Sequence, residues 1–265
     1  LFTVVSLAAV LLLWYRLDAL AARGERRSSI VDWPCLGIGG LIGAAVLIRP
    51  EMLFFLGPMA LLLAVRHRWA SAGALVIGAV LVIAPWTASN YLRYGELILV
   101  SSRGGPNFWM GNSALATGDG DVGSNPALSE AYRALGRASA DASPSEAKRF
   151  FYREAFTWMR AHPVDWLVLE AKKLFYFWVP VGPSYSSHSR RYWIGHAASY
   201  LALLPFALAG FARIVRRPDQ PVVLWALAGS ALLTALIFFP LPRYRVPGFD
   251  PVMIVCAAFL ARDAR

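Results

Sequence analysis

Seven stretches of this sequence are almost free of charge, and they decide what the chain can fold into. They run over 1–17, 36–48, 51–65, 70–88, 192–213, 222–239 and 247–262. A helix needs about 20 apolar residues to cross a bilayer, fewer where it packs short or tilted among neighbours. Across the chain 57% of residues are hydrophobic and 16% charged, against about 25% charged in a soluble domain. With a mean hydropathy of +0.49, the chain carries more apolar side chain than one water-soluble core can hide, so lipid must be part of its solvent. These features predict an all-α polytopic transmembrane bundle of about seven spans, multi-pass in an inner or plasma membrane.

Three regions follow from the runs. Residues 1–88 hold four short spans, 89–191 form an external loop region with amphipathic and interfacial helices, and 192–265 hold three more spans. Arg49-Pro50-Glu51 separates the second and third runs, because proline cannot continue the first helix and two charges are costly at mid-bilayer. A single tilted span over 36–65 is the competing reading. The chain opens inside an apolar run at Leu1, with no initiator Met and no charged segment ahead of a cleavage site. It is therefore expected to be the C-terminal part of a longer protein rather than to carry a signal peptide.

The net charge of +10 does not point to nucleic acid, since the arginines flank apolar runs and no recognition motif accompanies them. They set topology instead. Arg23, Arg26 and Arg27, Arg66 and Arg68, Arg213, Arg216 and Arg217, and Arg262 and Arg265 all fall on the cytoplasmic side if seven spans are counted from an external N-terminus. That parity requires segment 164–180 not to cross. It contains Asp165, Glu170, Lys172 and Lys173, each costing about 2.5–3.5 kcal/mol at a helix centre, and its Phe175–Trp178 end suits the headgroup boundary.

The external region looks soluble. Glu96–Ser101 is a candidate short strand closed by Gly104-Gly105-Pro106, and 111–127 reads as loop. Ser143-Pro144-Ser145-Glu146 is a capping box opening a helix to about Ala161, with Phe151, Ala155 and Trp158 on one stripe and Pro163 ending it.

Three motifs occur in order: Leu47-Ile48-Arg49-Pro50-Glu51; Ala84-Pro85-Trp86-Thr87-Ala88-Ser89-Asn90-Tyr91 followed by Gly105-Pro106-Asn107-Phe108-Trp109-Met110-Gly111-Asn112; and Pro242-Arg243-Tyr244-Arg245-Val246-Pro247. With His162-Pro163 they resemble the later half of GT-C glycosyltransferases, above all the bacterial branch related to protein O-mannosyltransferases and the lipid A aminoarabinose transferase. The resemblance implies a multi-span enzyme with its active site on the external, periplasmic face. Such an enzyme passes a sugar from a polyprenyl or dolichyl phosphate to a glycan, lipid or protein acceptor with inversion. The family's essential acidic residue lies in a first external loop that this sequence does not contain. No position here inherits that role, and this stretch alone is expected to be inactive.

Transfer from a lipid phosphate needs fixed cations for the leaving group and a carboxylate to take the acceptor's proton. Arg243 and Arg245, at the external mouth of the sixth run, and Arg49 are the candidate phosphate ligands, since guanidinium binds phosphate in bidentate fashion and cannot be deprotonated. The competing role for the first two is to anchor helix ends at headgroups; for Arg49 it is an ion pair with Glu51 that orders the turn. Glu51, Asn107, Trp109, Asn112 and Tyr244 are the candidate substrate contacts, with ordinary turn formation the alternative for the asparagines. No catalytic residue is assigned.

No cofactor is predicted and no metal ligands are assigned, which leaves a divalent-metal requirement open. Asp119 and Asp121 mimic the start of a calcium loop whose remaining ligands are absent. His67, His162, His188 and His196 show no metal pairing, and Cys35 and Cys256 lack metal spacing and are expected to be inert. The rival functions are another polymerase or ligase of polyprenyl-linked glycans, and a transporter or non-catalytic scaffold. A transporter should show paired broken spans with charges near the midplane.

Overall fold

The computed structural model describes residues 2–22, 32–119, 123, 125–179, 189–216, 222–241, 245 and 248–262. Every regular element among them is helical: α1 (Phe2–Ala22), α2 (Trp33–Ile48), a 3-10 turn (Pro50–Met52), α3 (Leu53–Val65), α4 (Trp69–Tyr94), α5 (Gly104–Gly111), α6 (Pro126–Ala138), α7 (Pro144–Ala161), α8 (Pro163–Trp178), α9 (Arg190–Ile214), α10 (Val222–Ile237) and α11 (Asp250–Arg262). Within α1, α4 and α9 lie stretches long and apolar enough to cross a membrane, while α2, the Pro50–Val65 stretch and α10 are shorter apolar helices. The chain divides into two compact units. The first is built mainly from residues up to Ser101, and the second mainly from Ser102–Pro218.

In the first unit α2 and α4 pack closely because neither presents bulk at the seam. A Cβ on Gly39 would collide with the Leu75 carbonyl, and one on Gly78 with the Leu36 carbonyl. Small residues at helix interfaces let backbones approach where no water drives association. Asp32 caps α2 by accepting from the Cys35 N–H (3.3 Å), and its side chain is wholly buried. The same carboxylate accepts from Arg16 of α1 (3.1 Å) and from the Ser71 hydroxyl of α4 (2.6 Å). One buried anion thus joins three helices at the positive end of α2's dipole.

Arg49 is extended (φ −146°) between α2 and the 3-10 turn that opens with Pro50. The chain therefore breaks at the proline into two short helices, as the sequence predicts. The candidate strand at Glu96–Ser101 is not one. Gly95, left-handed at φ +68°, ends α4, and the chain turns back along that helix. Trp86 Nε1 donates to Val100 O (3.0 Å), Thr87 Oγ1 to Leu99 O (2.8 Å) and Asn90 Nδ2 to Ile98 O (3.0 Å). Side chains within about one helical turn of α4 satisfy the carbonyls that a partner strand would otherwise take.

In the second unit Gly104-Gly105-Pro106 opens α5 instead of closing a turn. Much of the expected loop is followed by α6, capped by Asn125 through the Leu128 N–H (3.1 Å). α5, α6 and α7 enclose a small aromatic core of Trp109, Leu128, Phe151 and Ala155, flanked by Tyr132 and Leu135. α7 has both halves of its capping box: Ser143 Oγ accepts from the Glu146 N–H (3.3 Å), and Glu146 accepts from the Ser143 N–H (3.0 Å). It runs from Pro144 to Ala161 as predicted. At His162 the helix breaks, Pro163 takes the first position of α8, and the His162 ring stacks on Trp158.

Candidate functional site

The Arg49–Glu51 pair closes at 3.3 Å, with each side chain about one-fifth exposed, and Arg49 Cζ lies 5.3 Å from the centroid of the Phe2 ring. The ion pair named as the competing role for Arg49 is present. Just beyond it in sequence, an apolar groove of about 490 Å3 opens between α3, α4 and the returning segment. Leu53, Leu56, Ile83, Tyr91, Leu97 and Leu99 are among its lining residues. Its first wall residue, Leu53, stands two positions after Glu51. Thr87 also lines it, but the hydroxyl of Thr87 is spent on the Leu99 carbonyl.

The three candidate sugar contacts of the second unit have different surroundings. Asn107 is half-buried on α5. Trp109 is 7% exposed and meets Phe151 edge-on at 6.0 Å, so its indole belongs to the aromatic core. Asn112 is 2% exposed and its amide is engaged on both sides. Nδ2 donates to Phe108 O (2.9 Å) and Ile237 O (2.8 Å), while Oδ1 accepts from Trp166 Nε1 (3.3 Å) and Lys173 Nζ (2.9 Å). Trp109 and Asn112 thus pack within the unit, the first in its aromatic core and the second among four hydrogen-bond partners.

Lys173 is the polar residue that sequence reasoning passed over. Its side chain is fully buried, and its ammonium donates to Asn112 Oδ1, Glu170 Oε1 (2.6 Å) and Leu236 O (2.8 Å). Three donors meet three acceptors, which is all an ammonium can make. Burial pushes the Lys173 pKa below its ordinary value, and the hydrogen bond and charge of Glu170 oppose that shift. Leu236 and Ile237 end α10, so a cation and an amide cap carbonyls at the negative end of that helix. The signal was present in the sequence: Leu169, Lys173 and Phe177, spaced four apart, are the buried stripe of α8.

Arg245 is 4% exposed. Its guanidinium lies 4.0 Å from the Tyr200 ring centroid, donates to Phe177 O (3.2 Å) and meets His196 Nε2 at 3.2 Å. Cation–π contact and two polar neighbours hold this cation in a fixed orientation. It stands in a built aromatic setting rather than at an exposed helix end. Arg243 and Tyr244, the other candidates of that motif, lie outside the described residues, as do Asp121 and His188.

Asp119 is buried and accepts from the Thr117 hydroxyl at 2.9 Å. Among the described residues no group of three His, Cys, Asp or Glu side chains is placed to hold a metal. Cys35 and Cys256 are free and buried. Comparison with protein-family models, with curated proteins and with solved structures finds no match for this chain.

Proposed function

We propose that the chain is the membrane-embedded later part of a GT-C-type glycosyltransferase. It would take a sugar from a polyprenyl phosphate at the external face of the membrane. One observation carries this reading: an apolar groove of about 490 Å3 whose α3 wall begins directly after the Arg49–Glu51 turn. A prenyl chain is an elongated hydrocarbon that gains by leaving water for such a groove. A phosphate at its end is matched by a guanidinium, which remains charged at every accessible pH. The order of motifs over nearly the whole chain supports the same donor class. The finer topology belongs to this proposal: α1, α4 and α9 as full spans, the shorter α2, α3, α10 and α11 completing seven, and α8 lying at the interface.

In the reaction, the acceptor hydroxyl attacks the anomeric carbon from the face opposite the phosphate. The new carbon–oxygen bond forms as the anomeric carbon–phosphate oxygen bond breaks, and polyprenyl phosphate leaves with the electron pair. The hydroxyl proton passes to a carboxylate that the resemblance places in a first external loop. Arg49 would bind the donor phosphate by releasing Glu51. Arg245 is a second, separate candidate for the same chemistry, oriented by Tyr200 and Phe177 O.

The test uses the complete protein in membranes and a polyprenyl phosphate bearing a photoreactive group in its tail. Cross-links should fall on 53–56, 79–91 and 97–100, and unlabelled polyprenyl phosphate should suppress them. Arg49→Ala should lower sugar transfer at least about tenfold, the scale of one lost charge-assisted hydrogen bond. Cross-links spread evenly over the lipid-facing helices, with unchanged transfer, would refute the donor site.

A further inference from the structure

The junction of α6 and α7 encloses a second cleft, of about 480 Å3, whose lining includes Ser139, Ala142, Glu146, Arg149, Phe150 and Arg153. Arg149 and Arg153 stand four residues apart, so they rise from one face of α7 a single turn from each other. Like charges at this spacing repel and weaken a helix, which makes the arrangement unfavourable without an anion between them. Arg149 Nε donates to Ser145 O (3.4 Å), and among the described residues no carboxylate comes within ion-pairing reach of its guanidinium. Arg153 has a weak partner in Glu154, at 4.0 Å, and its Cζ lies 5.3 Å from the Phe150 ring centroid. Glu146 lines the cleft too, but its carboxylate turns to the Ser143 N–H and closes the capping box.

The helix ends bordering the cleft, the last turn of α6 and the first of α7, carry opposite partial charges that offset each other. The arginines therefore decide the sign of the local field. They are also well supported. The opposite face of α7 is pinned by Phe151 (3% exposed) and Ala155 (0%), and Gly105 of α5 sits directly against the Lys148 carbonyl. A rigid support keeps the cost of ordering the cleft's cations low when a ligand arrives.

We propose that this cleft binds a phosphate group carried on a sugar or a lipid headgroup, held between Arg149 and Arg153 with the carrier resting on Phe150. Two guanidinium groups one turn apart offer parallel donors to phosphate oxygens, and an aromatic face beside them suits the apolar side of a sugar or glycerol unit. The site lies within the second unit and does not depend on the transferase reading.

The experiment compares the complete protein with its Arg149→Gln/Arg153→Gln variant, both in phosphatidylcholine nanodiscs at low ionic strength, where surface charge is least screened. Both arginines are exposed and repel each other, so the variant should melt no lower than wild type, which confirms that it is folded. Glucose 1-phosphate is the sugar probe and glucose its uncharged control. Retention of phosphatidic acid against phosphatidylcholine tests the headgroup source. For a sugar-borne phosphate, wild type should bind glucose 1-phosphate but not glucose, and the variant should bind at least about tenfold more weakly. For a lipid source, wild type alone should retain phosphatidic acid. If the folded variant holds both phosphate compounds as well as wild type does, or wild type holds neither, the proposal is wrong.

Discussion

In the first unit a buried anion sits at the start of a helix; in the second a buried cation sits at the end of one. Asp32 caps α2 and collects Arg16 and Ser71. Lys173 caps the end of α10 and collects Glu170 and Asn112. Each charge is offset by a single counter-ion and by the helix pole of opposite sign. The two differ in reach. Asp32 sits beside the helix it caps, whereas Lys173 is 63 residues from the Leu236 carbonyl it satisfies. The first unit relies mostly on close backbone approach at glycines, with its charge cluster fixing one end. The second has irregular connections and a small aromatic core, and leans on its polar latch to join α5, α8 and the end of α10.

The largest effect is expected at the latch. Lys173→Met leaves the Leu236 carbonyl and the Glu170 carboxylate without their partner and should cost about 3–4 kcal/mol. Thermal unfolding in neutral detergent, followed by circular dichroism, measures it. A loss below that of a surface cap would break the comparison.

Next comes Gly39→Val, which places a branched side chain against the Leu75 carbonyl of α4 and should cost about 2–3 kcal/mol through overpacking. Wild-type stability with that substitution would mean that the α2–α4 seam is not the anchor of the first unit.

Asp32→Ala removes a cap and a buried ion-pair partner. Arg16 is one-fifth exposed and water compensates part of the loss, so about 2 kcal/mol is expected. The acid limb sharpens this. Burial alone would raise the Asp32 pKa, but hydrogen bonds from Ser71, Arg16 and the Cys35 N–H, with the charge of Arg16, hold it below its ordinary value. A depressed folded pKa means that the contribution is complete above the ordinary carboxylate range and fades as pH falls through the folded value. Wild type should therefore lose stability more steeply than Asp32→Asn below about pH 4, and parallel acid limbs would contradict the assignment.

The smallest effect is at the surface. Ser143→Ala removes one half of the capping box and should cost about 1 kcal/mol, read as a lowered melting temperature. No change there would show that α7 is held by the Trp109–Phe151 core alone.

Local features were legible in the residues. The α7 boundaries followed from a capping box and a proline, both of which act within one turn. The break at Arg49-Pro50-Glu51 followed from a missing N–H. α6 was legible but overlooked: Asn125-Pro126 is a cap with proline at the first position, and Leu128, Ala131, Tyr132 and Leu135 repeat at helical spacing. Glu96–Ser101 misled because its composition suits a strand, while its carbonyls are satisfied by Trp86, Thr87 and Asn90 on the preceding helix.

The sequence by itself determined the helices and the apolar stretches long enough to cross a membrane, because hydropathy, caps and proline breaks act over a few residues each. Only the tertiary structure decided which polar groups meet one another. Asn112 and Lys173 meet across 61 residues, and Trp109 turns inward to Phe151. Which neighbour an amide, an ammonium or an indole meets depends on which distant backbone groups lack partners, and that is settled only when the helices pack.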